Sequence, residues 1–134
     1  MKKDMPCYCI SIRKASRRLM ALYDRALEPV QLTISQFSIL RNTDRLGKCS
    51  LSDLSQKTDL ERTSLVRMLR PLEERGLIED VSGKKERSRI LQLTPDGKSL
   101  LAQAMPLWQQ AQEEIEEKAG RDSIEQVLAV LNRL

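Results

Sequence analysis

In this chain of 134 residues the side chains best suited to chemistry cluster at Arg62, Thr63, Ser64 and Arg67. On a helix these four share one side, opposite Leu65, Leu69 and Leu72, which follow the i, i+4, i+7 spacing of a core-facing stripe. Small hydroxyls and guanidinium groups in the first turns of a helix are what base-edge reading in a duplex groove requires. Arg bridges guanine O6 and N7, and Thr meets a thymine methyl. The same residues also suit an ordinary solvated first turn, so their surroundings must decide. A second cluster, Ser82-Gly83-Lys84-Lys85-Glu86-Arg87, is a basic hairpin tip between two β-prone runs, chemistry that fits phosphate.

Other chemistries lack their parts. The chain has no histidine, the commonest general base and metal ligand. Its three cysteines have no C-x-x-C spacing, so no zinc site is expected. Carboxylates fall in solvent-facing runs such as Glu113, Glu114, Glu116 and Glu117. Neither a Gly-rich phosphate loop nor a nucleophile motif is present. The expectation is no enzyme, no catalytic residue, no metal and no cofactor.

Helical elements must position the two clusters. A first helix is expected to start with Pro6 at its first position, where the missing N–H costs nothing, and to stop before Pro29. Its apolar face carries Tyr8, Ile12, Leu19, Leu22 and Tyr23, with Arg13, Lys14, Arg17, Arg18 and Arg25 on the other side. Thr33 or Ser35 caps a second helix bearing Phe37, Ile39 and Leu40, to about Asp44. Ser50 caps a short third helix, Leu51 to Lys57. Thr58 and Glu61 have the spacing of a capping box for a fourth helix, which runs to about Arg75, bends at Pro71 and stops at Gly76. Residues 77–81 and 88–93 read as strands. Thr94 and Pro95 open a fifth helix, interrupted by Gly120, and a last helix covers about 122–134. Two helices joined by a tight turn, the second entering the major groove, form a DNA-reading unit.

Composition agrees with a single, mainly α domain. Apolar residues make up 40% with only 3% aromatic, so aliphatic helices meet helices in the core. Residues 1–50 carry ten basic and four acidic groups, and residues 94–134 carry four and seven. A basic front and an acidic rear suit a protein that presents one face to a polyanion. With no apolar run of 18 residues and no apolar leader, no membrane partner is expected and the compartment is a reducing cytoplasm.

The first, fifth and sixth helices have apolar faces too large for the lobe to cover. Tyr8, Ile12, Trp108, Ile115, Leu128 and Leu131 are therefore expected in an intersubunit bundle, as against packing within one chain. Cys7, as second residue of the first helix, feels the positive end of the helix dipole with Lys14 and Arg18 on its side, which favours reactivity. Cys9 points toward Tyr8 and Tyr23. The two diverge by about 200° at 100° per residue, so a bridge between them would distort the helix. Pairing across the dimer or with a small thiol is easier. Cys7 and Cys9 are thus candidate redox residues, against the plainer reading of a bystander and a small core residue.

The run LSDLSQKTDLERTSLVRMLRPLEERGLIED, the basic hairpin and ILQLTPDG together resemble the multiple antibiotic resistance regulator (MarR) family, and ALYDRALEPVQLTISQFSIL resembles its first two helices. The resemblance implies a winged helix-turn-helix homodimer on pseudo-palindromic operator DNA. It implies a repressor, released by a small ligand or by thiol oxidation. On this likeness residues about 32–93 form the DNA-binding lobe of a single domain, 1–134, and about 6–28 with 95–134 form the dimerisation helices. By position, Thr63, Ser64 and Arg67 match base-reading residues, Ser50, Ser52 and Arg62 match phosphate contacts, and Arg87 matches the wing-tip arginine. The family's D-x-R pattern is broken by Lys85, leaving Glu86 or Asp80 to hold that arginine, or a looser wing in which Lys84 and Lys85 grip phosphate. A ligand pocket lined by Tyr23 and Phe37 is expected between dimer helices and lobe. A protein-interaction module and a sensor acting through Cys7 and Cys9 are the competing functions.

Overall fold

The computed structural model describes residues 4–85 and 87–134. In chain order the elements are α1 (Tyr8–Ala26), a 3-10 turn (Glu28–Val30), α2 (Ile34–Leu46), β1 (Cys49–Ser50), α3 (Leu51–Thr58), α4 (Arg62–Glu74), β2 (Ile78–Asp80), β3 (Ile90–Leu93), α5 (Pro95–Ala119) and α6 (Arg121–Leu131). The fold is mainly α with a small β-wing. The sheet has the order β1-β3-β2 and is antiparallel, with Ile78 opposite Leu93 and Cys49 opposite Leu91.

Local chemistry sets most boundaries. Thr33 caps α2 through a reciprocal box with Gln36, which resolves the choice between Thr33 and Ser35. The Thr94 hydroxyl accepts from Gly97 N at 3.0 Å and Pro95 occupies the first turn of α5. At Gly97 the helix approaches the preceding chain so closely that an added Cβ would lie 2.0 Å from the Leu77 carbonyl oxygen. The core is aliphatic and continuous: Leu27, Ile39, Leu40, Leu54, Leu65, Leu69, Leu72 and Leu91 are fully buried. The buried Thr43 hydroxyl donates to Ile39 O at 2.7 Å. Among the described residues no helix is long and apolar enough to cross a membrane.

Several expectations are corrected. Helix α1 begins at Tyr8 with an extended Cys7 as its cap, so Pro6 precedes the helix and Cys7 is not its second residue. The angle between Cys7 and Cys9 was reckoned with both inside the helix, whereas Cys7 is its cap. Helix α1 ends at Ala26, before Pro29 as expected, and Pro29 lies within the 3-10 turn. Strand β1 was not anticipated, because two residues are too few to show alternation; its pairing with β3 supplies its only signal. Trp108 stacks on Phe37 of the same chain, centroids 5.7 Å apart, and Ile115 is buried within it. Both were expected between subunits.

Candidate nucleic-acid interface

The interface is assembled from α3, α4 and the wing. Ser50 caps α3: its hydroxyl accepts from Asp53 N at 3.1 Å, and Asp53 returns a carboxylate to Ser50 N at 3.0 Å. Bonding to Ser50, through its backbone N–H first and its side chain second, holds the Asp53 carboxyl below its ordinary range. Ser52, on the next turn edge, is exposed.

The turn into α4 differs from the expected capping box. Thr58 is still helical and its hydroxyl donates back to Leu54 O at 2.6 Å. Asp59 then takes a left-handed conformation, φ 56°, and the Ser55 hydroxyl secures Leu60 O at 2.6 Å. A cap must be extended, and here the extended residue is Glu61, which makes no side-chain cap bond. The shift places Arg62, Thr63 and Ser64 in the first turn of α4.

Helix α4 has two unlike faces. Leu65, Leu69 and Leu72 are 0% exposed and fix it to the core. Arg62, Thr63, Arg67 and Arg70 are exposed on the other side, and Ser64 is half-buried at the edge. Val66 lies between Thr63 and Arg67 and is 42% exposed. The sequence reading passed over Val66 and Arg70, although both fall at i+3 from Thr63 and Arg67 on the same face. The helix continues through Pro71, which offers no N–H to the Arg67 carbonyl.

The wing is fastened at its base. Asp80 Oδ1 accepts from Ser82 N at 2.9 Å and from the Ser82 hydroxyl at 2.6 Å, and Oδ2 accepts from Arg89 Nε at 3.1 Å. The Ser82 bonds, with a smaller contribution from Arg89, hold the Asp80 carboxyl down to about 2. The other end of the Arg89 guanidinium meets Glu73 in the last turn of α4. Partial burial opposes the Arg89 charge, but the bonds to Glu73 and Asp80 outweigh it and raise its pKa.

Asp80 therefore serves Ser82 and Arg89, and it does not replace the family's wing aspartate for Arg87. The other substitute, Glu86, lies outside the described residues. Lys84 and Lys85 occupy an exposed turn, and Arg87 is exposed beside them. The Arg89 link was missed because its partners sit nine and sixteen residues away.

Tyr23 and Phe37 do not form a common lining. Phe37 is 2% exposed and closed into the core. The Tyr23 hydroxyl donates to Gln112, and burial, aided by Glu116, raises its pKa. Arg41 stands 4.4 Å from the Trp108 ring centroid, its pKa lowered by burial and then by Arg45. It borders an open cleft of about 330 Å³ between α2 and α5, shared with Asp44, Arg45, Lys98, Leu101 and Met105. Cys7 and Cys9 are exposed, whereas Cys49 is buried against the Leu91 carbonyl. Burial, then Asp53, pushes the Cys49 thiol up.

Known proteins share this arrangement. Residues 32–83 match the model of the MarR family. The chain is similar to the M. tuberculosis transcriptional regulator MosR, solved in complex with DNA: identity is 34%, coverage 96% of this chain and 95% of that one, and the TM-score 0.83. It is similar to the transcriptional repressor CouR bound to a 23-mer DNA duplex, at 29% identity, 95% and 91% coverage and a TM-score of 0.84. Apo MarR from E. coli shares the fold at 20% identity, with 97% and 98% coverage and a TM-score of 0.74. With 34% identity to MosR over nearly the whole of both chains, and with the family model matched over residues 32–83, the chain belongs to the MarR family.

Proposed function

We propose that this protein is a sequence-specific DNA-binding transcription regulator, a repressor that acts as a homodimer on a pseudo-palindromic operator. The observation that carries the reading is the two-faced helix α4. Its aliphatic stripe is fully buried, while Arg62, Thr63, Val66 and Arg67 stand together in solvent beside the basic wing. In this reading Thr63, Ser64 and Arg67 meet base edges, and Ser50, Ser52 and Arg62 meet phosphates. Lys84, Lys85 and Arg87 reach the backbone or the adjacent groove. A protein-interaction module would instead carry apolar residues where Arg62, Arg67 and Lys84 are found. The DNA complexes of MosR and CouR support the same choice.

The homodimer reading rests on α1 and α6, neither of which has a buried residue. Ile10, Ile12, Leu19 and Met20 on α1, and Val127, Leu128 and Val130 on α6, are large apolar side chains left exposed. Such a surface is characteristic of a protein interface. Residues 6–28 and 95–134 would supply the dimer helices and 32–93 the DNA-binding lobe.

Release of DNA is assigned to a small ligand or to thiol oxidation. For a ligand, the cations Arg41, Arg45 and Lys98 around the α2–α5 cleft favour an anion. For oxidation, Cys7 and Cys9 stand exposed at the root of α1.

Binding of an operator selected from random DNA, and of a scrambled duplex, tests the reading. Arg67→Ala should weaken operator binding by about tenfold or more and leave scrambled DNA nearly unchanged. Equal losses on both would overturn the base-reading assignment. Repeating the measurement with peroxide on the wild type and Cys7→Ser tests redox release, which unchanged binding would sink.

A further inference from the structure

The last turn of α4 makes a contact that neither base reading nor phosphate binding uses. Arg75, the C-cap of α4, reaches 44 residues back along the chain. Its Nη1 donates to Gln31 O at 2.7 Å and its Nη2 to Val30 O at 3.2 Å. These adjacent carbonyls belong to the elbow between α1 and α2. Gln31 is left-handed there, φ 55°, and its N–H closes the 3-10 turn on Glu28 O at 2.9 Å.

The elbow is itself well tied. Asp24, near the end of α1, accepts from Ile34 N, the first residue of α2, at 2.7 Å. Val30 is buried in the core. An unbroken set of directional bonds therefore runs from α1 through the elbow to the end of α4. The remaining anchorage of α4 is the aliphatic stripe of Leu65, Leu69 and Leu72, together with the Glu73–Arg89 ion pair, which ties the helix to the wing and not to α1. Apolar packing is non-directional and tolerates small tilts of a helix, whereas a planar guanidinium bridging two carbonyls does not.

We infer that Arg75 is a positioning residue that fixes the tilt of α4 relative to α1, and so sets the half-site spacing that the homodimer accepts. This rests on the proposed function, in which α1 joins the subunits and α4 reads DNA. A small rotation at the elbow would be multiplied along α4 into a displacement of its N-terminal turn. Two-fold symmetry doubles it between half-sites separated by about 34 Å.

The test is selection from random duplex DNA with the wild type, Arg75→Ala, Arg75→Lys and a control, Glu79→Gln, whose residue is exposed on β2 and accepts from Gln92 at 2.7 Å. The wild type and the control should recover one half-site sequence at one spacing. Both Arg75 variants should recover the same half-site bases at a broadened or shifted spacing. Their affinity for the wild-type operator should fall by about tenfold, with nonspecific binding unchanged. Arg75→Lys keeps the charge and loses only the fork, so it carries the test if Arg75→Ala does not fold.

Unchanged spacing in Arg75→Lys overturns the inference, even with reduced affinity, because a merely structural role would lower affinity alone. Altered half-site bases also overturn it. If the wild type selects no sequence, the DNA-reading role of α4 fails first and takes this inference with it.

Discussion

Arg89 and Asp80 face each other across the base of the wing, Nε to Oδ2 at 3.1 Å, and the same guanidinium reaches Glu73 on α4. The hairpin is thereby joined to the reading helix through one side chain. Asp80 also accepts two bonds from Ser82, and together these hold its carboxyl at about 2 against an ordinary 3.8. A depressed folded-state value means that the contribution to stability is full above the unfolded value near 3.8 and disappears as pH falls through about 2. Acid unfolding of Asp80→Asn should therefore be less steep than that of the wild type between those limits. Because Ser82 contributes most, Ser82→Ala should remove more of the difference than Arg89→Lys. Unfolding midpoints between pH 2 and 5 check this, and identical acid profiles for wild type and Asp80→Asn would refute it.

The exposed turn bearing Lys84 and Lys85 predicts a different signature from the reading helix. A lysine that neutralises one phosphate releases counterions, so losing it lowers the slope of log K against log salt by about 1. Lys84→Ala and Lys85→Ala should each weaken operator and scrambled DNA alike, most at low salt. Titrations from low to moderate salt on both duplexes measure this. An operator-only loss would mean that the wing reads sequence.

Much of this molecule can be read from its sequence where local chemistry controls the outcome. The caps at Thr33, Ser50 and Thr94, and the buried stripe Leu65, Leu69 and Leu72, follow from residue type and period. The misses have two causes, local competition between neighbouring helix ends and long-range partnership. Thr58 and Glu61 carry the capping-box spacing, but α3 kept Thr58 in its own last turn and a left-handed Asp59 moved the cap to Glu61. Trp108 was read as a dimer residue, yet it packs against Phe37 and Arg41, both on α2 of its own chain. Arg75 and Arg89 drew no role from the sequence because nothing near them names Val30, Gln31 or Glu73 as partners.

Gly97 predicts a packing failure at the start of α5. A methyl group there would lie 2.0 Å from the Leu77 carbonyl oxygen, a backbone atom that also accepts from Thr94 N at 3.1 Å. The carbonyl cannot swing aside without breaking that bond, so α5 or the start of β2 must shift. Gly97→Ala should destabilise the protein by about 2 kcal/mol, in the range typical of overpacking. Ser99→Ala, exposed on the same helix, should cost little. Denaturant midpoints for the two variants check the contrast, and equal midpoints would contradict the close approach.

Val66 is expected to add an apolar contact to the reading face. Its side chain stands 42% exposed between Thr63 and Arg67, on the face proposed to read DNA. A thymine methyl is the apolar feature that the major groove offers. Val66→Ala should weaken the selected operator by several-fold, about 1 kcal/mol, while leaving stability and scrambled-DNA binding nearly unchanged. Replacing each thymine of the half-site by uracil, which lacks the methyl, should produce the same loss at one position. That position should then be insensitive to the mutation. If Val66→Ala and every uracil substitution remain additive, the side chain does not touch a thymine.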